Sequence, residues 1–376
     1  MAAVLPLDII IEIFLRLPVK SLVNFKRVCK SWRTLITDPK FTHLHLQLSN
    51  ANANSSNRFF ILKCNSSHEL LYRVDLDNPT TSPPLKITLF STQIEYSHIV
   101  GSCNGLVCLY AYVNHWIVVL LNPTTLTFSI VPDFETSNSN GIGFGFDSKN
   151  NDYKFVSIKR NPTPLYDFPI KVMIYSFKDN SRRSIGHGGF YVGKYYSYMN
   201  PVIHGALLDN HLLHWILHSR NSGKRVIACL DLCSEEWTEI EVPNCVSRLL
   251  YSDFKEYLSV YKGNSLCLVV QNILPCSVSL WVLKEYGVKD SWVKFTVTDY
   301  RFQPLFSRFD YIGLPMAFKH QIWNRDYPKS NWCAQVCLES LVTVGDCQTT
   351  TFDIIKKKKS SLSLTSARKF LKEMFS

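Results

Sequence analysis

The feature that most constrains this chain is a strongly apolar amino-terminal stretch that is divided by prolines. Pro6, Pro18 and Pro39 each stand where a helix begins, and a proline also ends the helix before it. Apolar residues recur at helical spacing between these prolines. The pattern predicts three or four short helices, with Asp38 as the N-cap of the last one.

These helices carry more apolar side chains than they can enclose. Segments of fewer than about 40 residues rarely bury enough surface to be stable alone. The first helix by itself presents an apolar stripe of Ile9, Ile10, Ile13, Phe14 and Leu17. Part of this surface must therefore contact either a separate protein or the rest of the chain, and helical periodicity does not distinguish between the two.

The same stretch resembles the plant F-box. Two Leu-Pro pairs one helix apart, followed by Val-Cys-Lys-Ser-Trp at residues 28–32, follow the spacing of that motif. The resemblance implies docking onto a Skp-type adaptor, which joins an F-box protein to the cullin and RING subunits of a ubiquitin ligase. The adaptor contacts that it implies by position are Leu5, Pro6, Ile9, Ile13, Leu17, Pro18, Leu22, Val28, Cys29 and Trp32.

Composition and charge argue against several other classes of protein. The net charge is +11, but the basic residues are spread along the chain, whereas nucleic-acid-binding domains concentrate them on one face. The chain has no run of about 18 apolar residues that would predict a membrane span, and charges interrupt the amino-terminal stretch as they do not in a signal peptide. We therefore expect a cytoplasmic or nuclear protein with reduced cysteines and no nucleic-acid partner.

Beyond a polar linker at 49–57 the pattern changes to short strands. These segments are rich in β-branched and aromatic residues and are bounded by Gly, Asn, Asp and Pro. Four strand–turn–strand units recur at a spacing of roughly 50 residues, the size of a kelch-like propeller blade. A mainly β, propeller-like domain after a small α module is favoured over a pair of sandwiches. The predicted strands include Arg58–Lys63, Leu106–Tyr112, Trp116–Leu121, Tyr153–Ile158, Val172–Phe177, Leu212–Leu217, Val226–Leu230, Leu266–Val270 and Val278–Leu283.

Parts of this region are similar to the plant F-box-associated domain. The similar stretches are Gly101–Leu109, Leu121–Thr125, Gly143–Asp147, Asp152–Val156, Leu213–Ile216, Trp281–Tyr286 and Ser291-Trp292. The resemblance does not separate F-box/kelch-like receptors of defence and stress from the S-locus F-box group of pollen. It divides the chain into an F-box at 1–48, the linker at 49–57, a propeller-like substrate-binding domain at 58–344 and a basic tail at 345–376.

Several motifs of the β region have structural interpretations. Asn104-Gly105 predicts a two-residue hairpin turn, and Asn-Pro-Thr-Thr at 122–125 predicts a turn with φ preset by proline. The tryptophans of this region are expected to pack between blades. They are Trp116, Trp215, Trp237, Trp281 and Trp292.

Motifs for enzyme chemistry are weak. The glycines at 141, 143 and 145 lead into a strand and have no following helix to hold a phosphate. His211 and His214 would point to opposite faces of a strand, which makes them poor ligands for one metal ion. No nucleophile elbow or Cys–His pair is evident. We expect neither a catalytic residue nor a cofactor or metal.

The basic tail allows two interpretations. Lys356–Lys359 and the following stretch with Ala367, Phe370 and Met374 on one stripe fit a basic amphipathic helix for a partner or an anionic membrane surface. The same pattern fits a frayed or packed terminal helix, and the lysine run fits either a nuclear address or a solvated surface.

Three functions follow from these patterns. The preferred one is a non-catalytic substrate receptor of a cullin ubiquitin ligase, which binds the adaptor through the F-box and an unidentified target protein through the β domain. The first alternative is a binding propeller outside any ligase, with the helices as its cap. The second is a metal-dependent propeller enzyme that uses His204, His211 or His214.

Overall fold

The computed structural model has four helices at its amino end followed by a region of strands. The structure describes residues 5–51, 58–64, 70–75, 85–87, 96–131, 139–160, 170–192, 203–247, 254–261, 264–272, 277–297, 332–342 and 350–351. The predicted fold class, a small α module followed by a mainly β domain, is confirmed. The helices are α1 (Leu7–Leu15), α2 (Val19–Phe25), α3 (Lys30–Thr37) and α4 (Pro39–Ala51).

Prolines and a capping carboxylate set the helix boundaries. Pro6 and Pro18 occupy the N-cap positions of α1 and α2. Before α4, a side-chain oxygen of Asp38 accepts a hydrogen bond from the backbone N–H of Lys40 at 2.7 Å, as predicted for an N-cap. We call residues 5–51 the helical module.

The helical module has a small core of its own. Phe14, Leu22 and Ile36 are buried there, and the rings of Phe14 and Trp32 meet edge to face with centroids 4.9 Å apart. The predicted stripe of α1 is therefore split between two faces. Phe14 faces this core, whereas Ile9 and Ile13 remain 46% and 45% exposed.

The strands form five sheets within the described residues. The first contains β1 (Arg58–Cys64), β2 (Leu70–Asp75), β3 (Leu85–Ile87) and β22 (Trp332–Leu338). The second contains β4 (Tyr96–Cys103), β5 (Leu106–Val113), β6 (His115–Asn122), β7 (Thr127–Val131) and β23 (Thr350–Thr351). The third contains β8 (Gly141–Asp147), β9 (Asp152–Lys159), β10 (Lys171–Ser176), β11 (Ser181–Ile185) and β13 (Ile203–His204).

The two remaining sheets follow in chain order. The fourth contains β12 (Phe190–Tyr191), β14 (Ala206–Leu208), β15 (Leu212–Ser219), β16 (Arg225–Asp231) and β17 (Trp237–Glu241). The short α5 (Asn244–Ser247) precedes the fifth sheet, which contains β18 (Phe254–Tyr261), β19 (Ser265–Asn272), β20 (Ser277–Leu283) and β21 (Trp292–Val297). A 3₁₀ turn at Lys289–Ser291 links β20 and β21. All nine strands predicted above are present, with boundaries within two residues.

Successive sheets pack side by side in a propeller-like arrangement. One strand of each sheet contacts its counterpart in the next, in the order β22, β4, β8, β14 and β18. The strand β22 comes from the carboxy-terminal part of the chain, and it pairs antiparallel with β1 from Arg58 opposite Leu338 to Cys64 opposite Trp332. The two ends of the β region are thereby joined in one sheet, which leaves fewer open strand edges.

The glycines of β8 make room for a tryptophan from the neighbouring sheet. A Cβ atom at Gly143 would lie 2.6 Å from the Cζ2 atom of Trp215, which is fully buried. The Trp215 indole N–H donates to the Ile142 carbonyl at 3.1 Å. The glycine pattern is therefore a packing surface on a strand, and the predicted placement of Trp215 between sheets is confirmed. The Asn104-Gly105 hairpin is also confirmed, with φ of 52° and 79°.

A buried lysine joins the third and fourth sheets. The Nζ atom of Lys154 lies 2.6 Å from an Asp147 carboxylate oxygen, 2.9 Å from a Glu235 oxygen and 2.7 Å from the Leu232 carbonyl. Burial raises the pKa of Asp147, but hydrogen bonds from Lys154 and Asn150 outweigh it and lower the pKa to about 2. The pair is therefore ionised at neutral pH.

The segment at 339–342 leaves β22 and contacts both the helical module and the propeller. Leu341 is 3% exposed and belongs to the core of the helical module. The fully buried Asn122 at the end of β6 donates its side-chain N–H groups to the carbonyls of Ser340 and Val342, at 3.0 and 2.9 Å. The helical module is therefore packed in part against the rest of its own chain.

Candidate partner-binding surface

An apolar surface lies on the outside of the helical module. Most of the exposed large apolar side chains of the described residues belong to this module, although it is the smaller part of the chain. Single exposed apolar residues are normal on a protein, but a group on one small module indicates an interaction surface. The candidate surface consists of Leu5, Leu7, Ile9, Ile13 and Val28, and two further exposed leucines, Leu44 and Leu48, lie on α4 outside it.

Helix α1 exposes its apolar residues on one side because its other side is already packed in the module core. Phe14 packs against the rings of Phe25 and Trp32, and that packing fixes the rotation of the helix about its axis. Ile9 and Ile13 are then directed outward, one helical turn apart. Among the residues that the structure describes, no other part of the chain covers these two side chains.

The residues implied as adaptor contacts fall into three groups in the structure. Leu17 and Trp32 are half-buried at the edge of the module core. Leu22 is fully buried in that core, so it supports the fold of the surface instead of forming it. The exposed members are Leu5, Pro6, Ile9, Ile13, Pro18, Val28 and Cys29.

Sequence reasoning missed Leu7, which is 62% exposed in the first turn of α1. The available signal was the excess of apolar residues in a helix of nine residues, more than one inward face can accommodate. In α4, Phe41 is buried whereas Leu44 is exposed, although the two residues lie three positions apart.

Cations flank the apolar surface where α2 leads into α3. Arg27, Lys30 and Arg33 are exposed, and among the described residues no carboxylate forms an ion pair with them. Burial, followed by the nearby charge of Arg33, lowers the pKa of Lys26. This concentration of positive charge beside Val28 favours a partner that carries acidic side chains.

Cys29 lies within this surface and offers a chemical probe of it. The thiol is exposed, with its Sγ atom 3.1 Å from the Ser31 hydroxyl. Hydrogen bonds with the Ser31 hydroxyl and the Trp32 backbone N–H lower the pKa of this thiol, which increases its reactive thiolate fraction.

The histidines considered as catalytic or metal-binding candidates lie elsewhere. The Nδ1–H group of His214 donates to the Ala206 carbonyl at 3.1 Å, and its Nε2 atom lies 2.8 Å from the Tyr286 hydroxyl. That hydroxyl also lies 3.2 Å from the Cys229 Sγ atom. These contacts join the fourth sheet to the loop after β20. Across the ranges that the structure describes, no three His, Cys, Asp or Glu side chains are grouped so as to hold a metal ion.

We predict that His214 makes the unfolding free energy depend on pH. Burial lowers its pKa to about 4, whereas an unfolded histidine titrates near 6.5. The unfolded chain therefore gains a proton first as the pH falls, and about 3 kcal/mol of stability should be lost between pH 6.5 and 4. Denaturant unfolding at several pH values should show this loss, and H214Q should flatten it. The control H211Q should keep the slope, and equal slopes in all three proteins would contradict the assignment.

No helix among the described residues has the length and apolarity needed to cross a membrane. The predicted amphipathic stripe at 367–375 and most of the linker at 49–57 lie outside the described residues.

Comparison with known families matches both the helical module and the β region to family models. The sequence model of the F-box associated beta propeller domain matches residues 58–321, and that of the F-box domain matches residues 4–44. In Arabidopsis thaliana, F-box/kelch-repeat protein At3g23880 is 29% identical over 77% of this chain and 78% of its own length. F-box protein CPR1 of the same plant is 31% identical over 78% of this chain and 73% of its own. F-box protein At3g07870, also of that plant, is 29% identical over 77% of this chain and 71% of its own length.

Proposed function

Since the chain belongs to the F-box proteins that carry an F-box-associated β-propeller domain, we propose that it is the substrate-recognition subunit of an SCF-type cullin ubiquitin ligase. The helical module binds a Skp-type adaptor and, through it, the cullin and RING subunits. The propeller binds a target protein. The observation that carries the proposal is the outward apolar face of α1, where Ile9 and Ile13 stand exposed although the module has filled its own core.

The chain contributes proximity and no covalent chemistry in this proposal. Holding a target beside a ubiquitin-loaded enzyme converts a bimolecular encounter into an effectively intramolecular one. This role requires binding surfaces and a defined geometry between them, and it requires neither a cofactor nor a nucleophile. It also implies that the protein works in the cytoplasm or the nucleus.

A capping role for the helices is the second candidate, because Leu341 inserts into the module core. Capping explains why the inner face of the module is buried. It does not explain the exposed apolar residues of α1 or the flanking cations Arg27, Lys30 and Arg33. Both observations are accounted for if the inner face meets the propeller and the outer face meets an adaptor.

Cysteine reactivity tests this proposal on the full chain. We expect a recombinant plant Skp-type adaptor to co-purify with it and to slow the alkylation of Cys29 by iodoacetamide by at least about tenfold, because the thiol lies in the contact surface. Cys233 is half-buried on the propeller and serves as the internal control, whose alkylation rate should not change. Absence of a complex, together with an unchanged Cys29 rate, would refute the adaptor assignment.

A further inference from the structure

Four residues near the carboxy-terminal end of the described structure contact both the helical module and the propeller. They follow β22 directly, at 339–342. Leu341 is buried among the helices, in a cluster with Val19 and Leu22. Val342 packs instead against the propeller cluster that contains Leu120. Neighbouring residues of this segment therefore belong to two different cores.

The side-chain amide of Asn122 joins this segment to the turn that follows β6. Its amide N–H groups donate to the carbonyls of Ser340 and Val342, at 3.0 and 2.9 Å. Its carbonyl oxygen accepts from the backbone N–H groups of Thr124 and Thr125, at 2.8 and 3.1 Å. The Asn-Pro-Thr-Thr turn and the 339–342 segment thus share one fully buried amide. Burial makes such bonds costly to break, because water cannot replace them.

Two further features show why this segment matters for the contact. A Lys20 ammonium on α2 lies 3.6 Å from a carboxylate oxygen of Glu339, which ties the helix to the start of the segment. Beside the segment, a cavity of about 230 Å³ separates α4 at Pro39 and Thr42 from the propeller at Tyr153. The space between α4 and the propeller is therefore incompletely filled, and beside it the 339–342 segment packs into both the module core and the propeller core.

We propose that residues 339–342 and Asn122 form a clasp that fixes the orientation of the helical module relative to the propeller. Leu341 and Asn122 are its positioning residues. The outward residues Ile9 and Ile13 are not part of the cluster that receives Leu341, so an adaptor can bind while the clasp is closed. The value of the clasp for ubiquitin transfer rests on the proposed function, but the clasp itself is a property of the free chain.

A distance measurement between the two parts tests the clasp. Spin labels are attached at T34C on α3 and at N221C on the propeller, both exposed positions, in a C29S/C233S background in which peptide mapping confirms that the remaining cysteines are unlabelled. We expect one narrow distance distribution. The substitution N122D keeps the acceptor for the turn but removes both donors to the segment, and we expect it to broaden the distribution or add a second distance. L341A should act in the same direction.

The controls separate orientation from stability and from adaptor binding. L266A removes a buried leucine from the fifth sheet, so it should lower the melting temperature and leave the distance distribution narrow. N122D should keep adaptor affinity within about threefold, because the contact surface is intact. Unchanged distributions in both N122D and L341A would overturn the clasp. If the unmodified chain fails to bind an adaptor, the proposed function falls, and the distance measurement still decides the clasp.

Discussion

The double variant I9E/I13E should lose at least about 100-fold in affinity for a Skp-type adaptor while the helical module stays folded. Both side chains are nearly half exposed in the free protein, so a carboxylate at either position remains hydrated there. In the complex, each substitution forfeits the burial of the remaining exposed half of an isoleucine, about 0.7–1.5 kcal/mol, and it also desolvates a charge. A loss of about 2.7 kcal/mol already corresponds to the stated factor. Isothermal titration of the full chain measures the affinity, and circular dichroism reports the fold.

Helix α4 provides a matched control. Leu44 and Leu48 are apolar and exposed to a similar degree, but they lie outside the implied contact set. The variant L44E/L48E should therefore bind the adaptor as the unmodified chain does. If both double variants lose affinity equally, general apolarity rather than the α1 face drives binding. If neither does, the adaptor-binding surface has been assigned to the wrong residues.

The substitution K154M should lower the unfolding free energy by about 3–5 kcal/mol. It leaves the fully buried carboxylate of Asp147 without its cation, and the apolar side chain cannot solvate that charge. The low pKa of Asp147 means that the carboxylate stays ionised at neutral pH while Lys154 is present. Denaturant unfolding measured at neutral pH gives the loss directly.

Two companion variants show whether the cause is the unpaired charge. R183A removes an exposed ion pair with the same Glu235, and it should cost no more than about 1 kcal/mol. The double variant K154M/D147N removes the orphaned charge and should recover part of the stability. Equal losses in K154M and K154M/D147N would mean that the loss comes from packing around the lysine stem.

Local sequence signals were sufficient to predict the helices and strands of this fold. Pro18 and the capping Asp38 mark helix boundaries whatever the rest of the chain does, and the Asn104-Gly105 pair allows the positive φ values of a tight hairpin. The strands carried runs of β-branched and aromatic residues that fit no helical period. These features act over a few residues, and such features can be read from a single sequence.

Contacts between residues far apart in the sequence could not be predicted in this way. Nothing near Lys154 in the sequence indicates that its partner is Glu235 in the next sheet, or that a charged residue in a strand is buried. Leu341 likewise looks like an ordinary residue after a strand, although it completes the core of the helices. Such contacts depend on how the sheets assemble.

The candidate surface shows the same limit. Ile9, Ile10 and Ile13 are chemically equivalent, and the sequence could not say which of them faces outward. The packing of Phe14 against Trp32 decides it. Leu22 was implied as a contact by its position in the motif, but its complete burial assigns it to the support of the surface.

The pairing of β22 with β1 has a consequence for synthesis on the ribosome. The helices and β1 emerge first, whereas β22 and Leu341 emerge only after most of the chain has been translated. Until then the nascent protein has an unpaired β1 edge and an incompletely filled helical core, and such intermediates are prone to aggregation. A polypeptide released before Leu341 would therefore keep this strand edge and this apolar surface exposed, and we expect it to aggregate and to be proteolysed more readily than the finished chain.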